Sequence, residues 1–148
     1  MPKITGILQC IKTGINAERN FVWDAFINDI GSWWKKEYSA TGTDKMVIEP
    51  FLGGKMYEDC GNGTGFTWYT VEAIIPNESI LLSGVMDHNW GGPCRTMLSL
   101  KFEVYKKGTN IKIVDSYIGH INENAENSFK DGWKTIFVET FKPYVENK

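Results

Sequence analysis

Asp115, Tyr117 and His120 are the residues whose types and spacing best suit chemistry. A carboxylate, a phenol and an imidazole close together supply both a proton acceptor and proton donors, the equipment of acid–base catalysis on a small substrate. In an extended chain Asp115 and Tyr117 fall on one face, while His120 comes at the end of the run. The structural alternative is a partly exposed junction histidine beside a hydrogen-bonded edge carboxylate.

Other chemistry finds less to work with. The two histidines, His88 and His120, form no HxxxH or HExxH pattern, and Cys10, Cys60 and Cys94 form no paired-cysteine spacing. Asp87, His88 and Cys94 share one loop, but their loose spacing predicts no metal and no cofactor. Gly61-Asn62-Gly63-Thr64-Gly65 resembles a phosphate loop only superficially. A phosphate loop needs a strand before it and a helix after it, whereas here a strand comes next, so a hairpin turn is expected. No GxSxG elbow or supported Cys/His couple points to hydrolysis.

These residues need elements to hold them. The 148 residues suit one domain, 1–148. Such a domain buries roughly 68–70% of its unfolded surface, so no staple is required. Six tryptophans, six tyrosines and eight phenylalanines are the first informative count, because such rings either fill a core or line a cavity. A net charge of −2 with no basic cluster argues against nucleic acid. The odd, scattered cysteines suit a reducing, cytoplasmic setting. Met1-Pro2-Lys3-Ile4-Thr5-Gly6 opens no apolar signal region, and no run approaches the about 18 apolar residues of a membrane span.

Residues 4–13 read as a strand, and Asn16 as the N-cap of a helix over 17–30. Phe21, Val22, Ala25, Phe26 and Ile30 form its stripe, with Trp23 beside it. Gly31-Ser32 breaks that helix, and Trp33-Trp34 begins another short turn. Strands come next at 46–51, 55–59, 66–75, 79–85, 95–105 and 111–117, parted by turn residues. Leu98, Leu100, Phe102 and Val104 alternate with Lys101 and Glu103. Residues 86–94 form a long loop, suited either to a mobile flap or to an ordinary connection. Ala125, Phe129, Trp133, Ile136, Phe137, Phe141 and Tyr144 trace a stripe on a long terminal helix. Short turns between strands imply an antiparallel sheet, hence an α+β fold.

The run from Ile15 to Phe26 followed by Trp33-Trp34 resembles the opening of the START-like (SRPBCC) superfamily. Pro50-Phe51-Leu52-Gly53-Gly54, Val71-Glu72-Ala73-Ile74-Ile75-Pro76, Gly108-Thr109 and Gly132-Trp133 are similar to later signatures of one branch. That branch takes its name from the activator of the 90-kDa heat-shock-protein ATPase. The resemblance implies a helix-grip fold, shared with birch-pollen-allergen-like proteins. A curved antiparallel sheet wraps a long C-terminal helix, with two short helices after the first strand.

It also implies a pocket between helix and sheet. Candidate wall residues are Trp34, Phe51, Tyr57, Trp68, Met97, Tyr117, Phe129, Trp133 and Phe137, with His120 at the mouth; each has core filling as its alternative. Gly132 bears on the pocket, since glycine inside a helix costs about 1 kcal/mol relative to alanine. Either cavity volume or close packing against a strand can compensate. The expected function is non-enzymatic binding of a small apolar or amphipathic molecule, lipid-, sterol- or polyketide-like. The alternatives are a cyclase- or dehydratase-like enzyme in the same pocket and a co-chaperone-like interaction module. The additional N-terminal region of the eukaryotic co-chaperones is not seen in this sequence, so that last role is not the expected one. Exposed aromatic residues near the flap allow a homodimer.

Overall fold

The computed structural model describes residues 4–122 and 125–148; the side chain of Ala125, placed in the terminal stripe by its spacing, lies outside the described residues. Seven antiparallel strands form one sheet in the order β1-β7-β6-β5-β4-β3-β2. They are β1 (Thr5–Ile15), β2 (Met46–Ile48), β3 (Lys55–Gly61), β4 (Thr64–Ile75), β5 (Ser79–Met86), β6 (Cys94–Tyr105) and β7 (Gly108–Gly119). Two helices, α1 (Arg19–Asn28) and α2 (Ile30–Trp33), come after β1. The terminal helix runs through α3 (Ala125–Lys134), a π-helical stretch (Thr135–Phe141) and α4 (Lys142–Glu146). Among the described residues no helix is long and apolar enough to cross a membrane.

Side-chain alternation explains the sheet. Along β6, Thr96, Leu98, Leu100 and Phe102 are buried while Arg95, Met97, Lys101 and Glu103 are exposed. Along β7, Ile111, Ile113, Asp115 and Tyr117 are buried in the same rhythm. The β6–β7 ladder runs from Cys94–Gly119 to Tyr105–Gly108 without a register shift. Asn62 and Gly63, both at positive φ, make the two-residue turn between β3 and β4, which the glycine cluster predicts. Register shifts in β4 leave Trp68 and Glu72 as extra residues opposite β3 and β5. Such bulges bend a sheet and re-aim its side chains.

The helices cover the concave face with aromatic rings. Trp23 meets Phe102 edge-on at 5.1 Å, and Phe26 lies 5.8 Å from Phe102 and 6.2 Å from Phe137. Each fully buried ring of this kind contributes about 1.5–3 kcal/mol. The α1 stripe differs from expectation, because Trp23 is buried and Phe21 is largely exposed. The helix also begins later than an Asn16 cap would have it: Glu18 is the N-cap, without a side-chain bond. The Asn16 backbone N–H instead donates to Glu146 of α4. Gly31-Ser32 lies inside α2 rather than breaking the helix there. In the terminal stripe Trp133, Ile136, Phe137 and Phe141 are buried, and Val145 is buried more fully than Tyr144.

Candidate functional site

A cavity of about 490 Å³ opens between α3 and the ends of β4 to β7. Its walls are mostly aromatic. Phe66, Trp68 and Tyr69 come from β4, Tyr117 from β7, and Phe129 and Trp133 from α3. The bulge at Trp68 carries both it and Tyr69 to the concave side. Gly84 of β5 permits this arrangement, since a Cβ there would lie 2.4 Å from the Trp68 carbonyl oxygen. Where α3 meets β7, Phe129 stacks directly on Tyr117 at 4.2 Å and 15°.

Gly132 forms part of the helical wall, and a Cβ built on it meets no atom within 4 Å. The helix glycine therefore leaves open space rather than accommodating a bulky strand residue. At the mouth, residues 86–94 bend through a 3-10 turn at His88–Trp90. Met86, Asp87 and Trp90 of this loop line the cavity, and Trp90 approaches Phe66 at 5.8 Å.

The floor is polar. Asp115 is 2% exposed, and its Oδ2 accepts hydrogen bonds from the Tyr117 hydroxyl and, at 2.5 Å, from Trp133 Nε1. Its Oδ1 has no hydrogen-bond partner. Burial pushes the Asp115 pKa upward, the Tyr117, Trp133 and Ser116 backbone donors pull it back, and the outcome is about 7. Burial and the Asp115 charge hold the Tyr117 and Tyr69 hydroxyls well above the usual phenol range, and raise the Cys94 thiol.

A second buried carboxylate braces the opposite wall. Glu58, 1% exposed, accepts from Ser39 Oγ (2.6 Å), Thr41 Oγ1 (2.7 Å), the Ala40 and Thr41 backbone N–H groups (both 2.8 Å) and Trp68 Nε1 (2.5 Å). Burial alone would raise its pKa, but the donors from Ser39, Ala40 and Thr41 outweigh that and hold it at about 2. Glu58 thus fixes the Trp68 ring in place and ties residues 39–41 to the sheet.

The predicted wall divides into three groups. Trp68, Tyr117, Phe129 and Trp133 line the cavity. Trp34 and Phe137 sit behind it in the core, Trp34 at 5.5 Å from Trp68 and Phe137 at 5.8 Å from Trp133. Phe51, Tyr57, Met97 and His120 lie outside it. Phe51 is exposed in the β2–β3 connection; Tyr57 and Met97 alternate with the inward residues Met56, Glu58, Thr96 and Leu98 and so face the other way. His120 comes after Gly119, whose φ of 137° turns the chain out of the strand. His120 is exposed, and its backbone N–H donates to the Pro93 carbonyl. The imidazole therefore does not join Asp115 and Tyr117. Sequence patterning does not find Glu58, Phe66, Tyr69 or Thr96, and reaches Trp90 only through the flap reading of residues 86–94; the signal available for Glu58 is its place two residues after Met56 on the inward face. Among the described residues no three His, Cys, Asp or Glu side chains gather as a metal site.

The fold has many counterparts among solved structures. A Rhizobium leguminosarum protein superposes with a TM-score of 0.71 at 14% identity, covering 100% of this chain and 99% of its own. The Aha1 dimer from Colwellia psychrerythraea gives 0.65 at 19% identity, with 95% and 96% covered. Ara h 8.0201 gives 0.61 at 14% identity, with 97% and 100% covered. The chain therefore has the START-like helix-grip fold, of the type seen in the Aha1 structure. No protein-family profile and no curated protein sequence matches it.

Proposed function

We propose that this protein binds a small apolar or amphipathic molecule in the cavity beneath α3. One observation carries the reading: about 490 Å³ of space walled by aromatic rings and bordered on α3 by Gly132, which contributes no side chain to it. The START-like likeness supports the same reading, because it is a fold that can hold ligands between helix and sheet.

The test is a titration with apolar and amphipathic aromatic compounds, read by tryptophan fluorescence and thermal shift. Trp68, Trp90 and Trp133 line the cavity and report on its contents. Saturable quenching is expected, with stabilisation of about 2.7 kcal/mol at a hundred times the dissociation constant. Gly132→Leu is expected to weaken binding at least about tenfold while stabilising the free protein by up to about 1 kcal/mol, because leucine favours the helix. Phe51→Ser, outside the cavity, is the control and should leave affinity unchanged. Absence of any saturable response, or equal affinity in Gly132→Leu, overturns the proposal.

A second reading, catalysis in the same cavity, has a specific observation in its favour. The Asp115–Tyr117 pair joins a carboxyl that titrates at about 7 to a phenol, which suits proton transfer near neutral pH. Turnover of a bound ligand that Asp115→Asn abolishes would select it.

A further inference from the structure

The charge pattern of the cavity narrows the class of ligand. Among the described residues lining it there is no lysine, arginine or histidine. An anionic head group, whether carboxylate, phosphate or sulfate, would meet no cation there to offset its desolvation. The acidic groups sit at both ends: Asp87 at the mouth and Asp115 directly behind Tyr117 and Trp133 at the floor. Between them stand the faces and edges of the aromatic walls, and aromatic faces attract cations.

The floor also has an unmet requirement. Asp115 is buried with no cation beside it, so a negative charge there is offset only by the Tyr117 and Trp133 donors on Oδ2 and the Ser116 backbone N–H. The Tyr117 proton is committed to Asp115. Its oxygen accepts only a long contact from Trp133 Nε1, at 3.4 Å, and keeps a second lone pair whose acceptor strength is raised by the carboxylate behind it. An ammonium N–H donating to Tyr117, with Tyr117 donating to Asp115, would place opposite charges one hydroxyl apart.

On the reading that the cavity binds a ligand, we infer that its ligand is an amphipathic organic cation: an amine on an apolar body of about aromatic size, with the ammonium end against the Tyr117 hydroxyl. The groups facing Asp115 agree with this. Tyr69 of β4, Cys94 of β6 and Tyr117 of β7 are the ionisable neighbours that act on it or are acted on by it, and all three are held neutral. The terminal helix presents the uncharged Trp133, and β1 places the uncharged Gln9 opposite Asp115 in the ladder. Lys130, Asp131 and Lys134 of α3 are exposed. A ligand cation would therefore be the counter-charge the floor lacks.

The experiment compares three isosteric probes by isothermal titration calorimetry: 2-naphthylmethylammonium, 2-naphthylmethanol and 2-naphthoate. Near pH 8 the cation should bind at least about tenfold more tightly than the anion, the span of a charge-assisted hydrogen bond. Near pH 5.5, with Asp115 protonated, the gap should close by several-fold, and cation affinity should fall. In Asp115→Asn the gap should be small at both values and independent of pH. If that variant is too unstable, the wild-type pH series alone decides. Anion or neutral probe binding as tightly as the cation at pH 8 overturns the inference and leaves ligand binding standing. Failure of all three probes to bind overturns both.

Discussion

Asp115→Asn should flatten a loss of stability that the wild-type protein undergoes as pH rises. The Asp115 carboxyl titrates at about 7 in the folded protein, against an ordinary value of 3.8. Below 3.8 both folded and unfolded chains hold the proton, and stability is full. As pH rises, the unfolded chain releases it first, while the folded chain keeps it until about 7 or must carry a buried charge. Stability therefore falls across that window and then levels off. Between about pH 5 and about pH 9 this single group accounts for about 3 kcal/mol.

Asparagine cannot ionise, so its contribution is constant. Its amide oxygen can accept from Tyr117 and Trp133 as Asp115 does, but its amide N–H groups would face the side where Oδ1 has no partner. That mismatch costs about 1–3 kcal/mol. The variant should be less stable than wild type near pH 5 and should close or reverse the difference near pH 9. Urea unfolding at both values measures it. Parallel pH dependence in the two proteins would show that Asp115 is not the buried titrating group.

The site is legible in the sequence where the sheet is regular. Simple alternation pairs Asp115 and Tyr117 on one face, and the β6–β7 ladder that holds them has no register shift. Trp133 and Phe129 fall on one helical stripe, and the α3 helix presents both to the cavity. Alternation fails where a strand gains a residue. The bulge at Trp68 turns Tyr69 inward as well, so a period-two reading admits one of the pair and misses the other.

Phe51, Tyr57 and Met97 attract attention by their apolar character, but no periodic argument places them inward; the register of β3 and β6 sends Tyr57 and Met97 to the opposite face. His120 illustrates a different limit. One glycine at positive φ, Gly119, decides the direction of everything after it. The loop contribution of Trp90 depends on a tertiary approach to Phe66 that no local pattern encodes. The same holds for Glu58, which reads as an ordinary strand carboxylate until residues 39–41 fold over it.

Glu58→Ala should be the most damaging single change in this region. It leaves the Ala40 and Thr41 N–H groups, the Thr41 hydroxyl and the Trp68 indole N–H without their acceptor, while the Ser39 hydroxyl can turn to the Thr43 carbonyl. Each stranded buried donor costs about 1–3 kcal/mol, less where water reaches it. Residues 38–41 lie partly open, so a net loss of about 3–5 kcal/mol is expected, in the range for removing one partner of a buried charged network. The effect should be visible twice. Unfolding free energy falls, and the Trp68 wall of the cavity loosens, so any cavity ligand binds more weakly. Glu58→Gln keeps the shape but offers one acceptor oxygen where two are used, and should lose less. The pH signature has the opposite sign to that of Asp115. A carboxylate held at about 2, below its ordinary 4.5, stabilises the fold fully above 4.5, and that contribution is lost as pH falls towards 2. The two carboxylates, one bracing the aromatic wall and one beneath the floor, thus squeeze stability from both sides and favour a mildly acidic optimum. Acid unfolding of Glu58→Ala should lack the loss between about pH 4.5 and about pH 2 that wild type shows. An unchanged acid limb, or a loss under about 1 kcal/mol at neutral pH, would remove Glu58 from its bracing role.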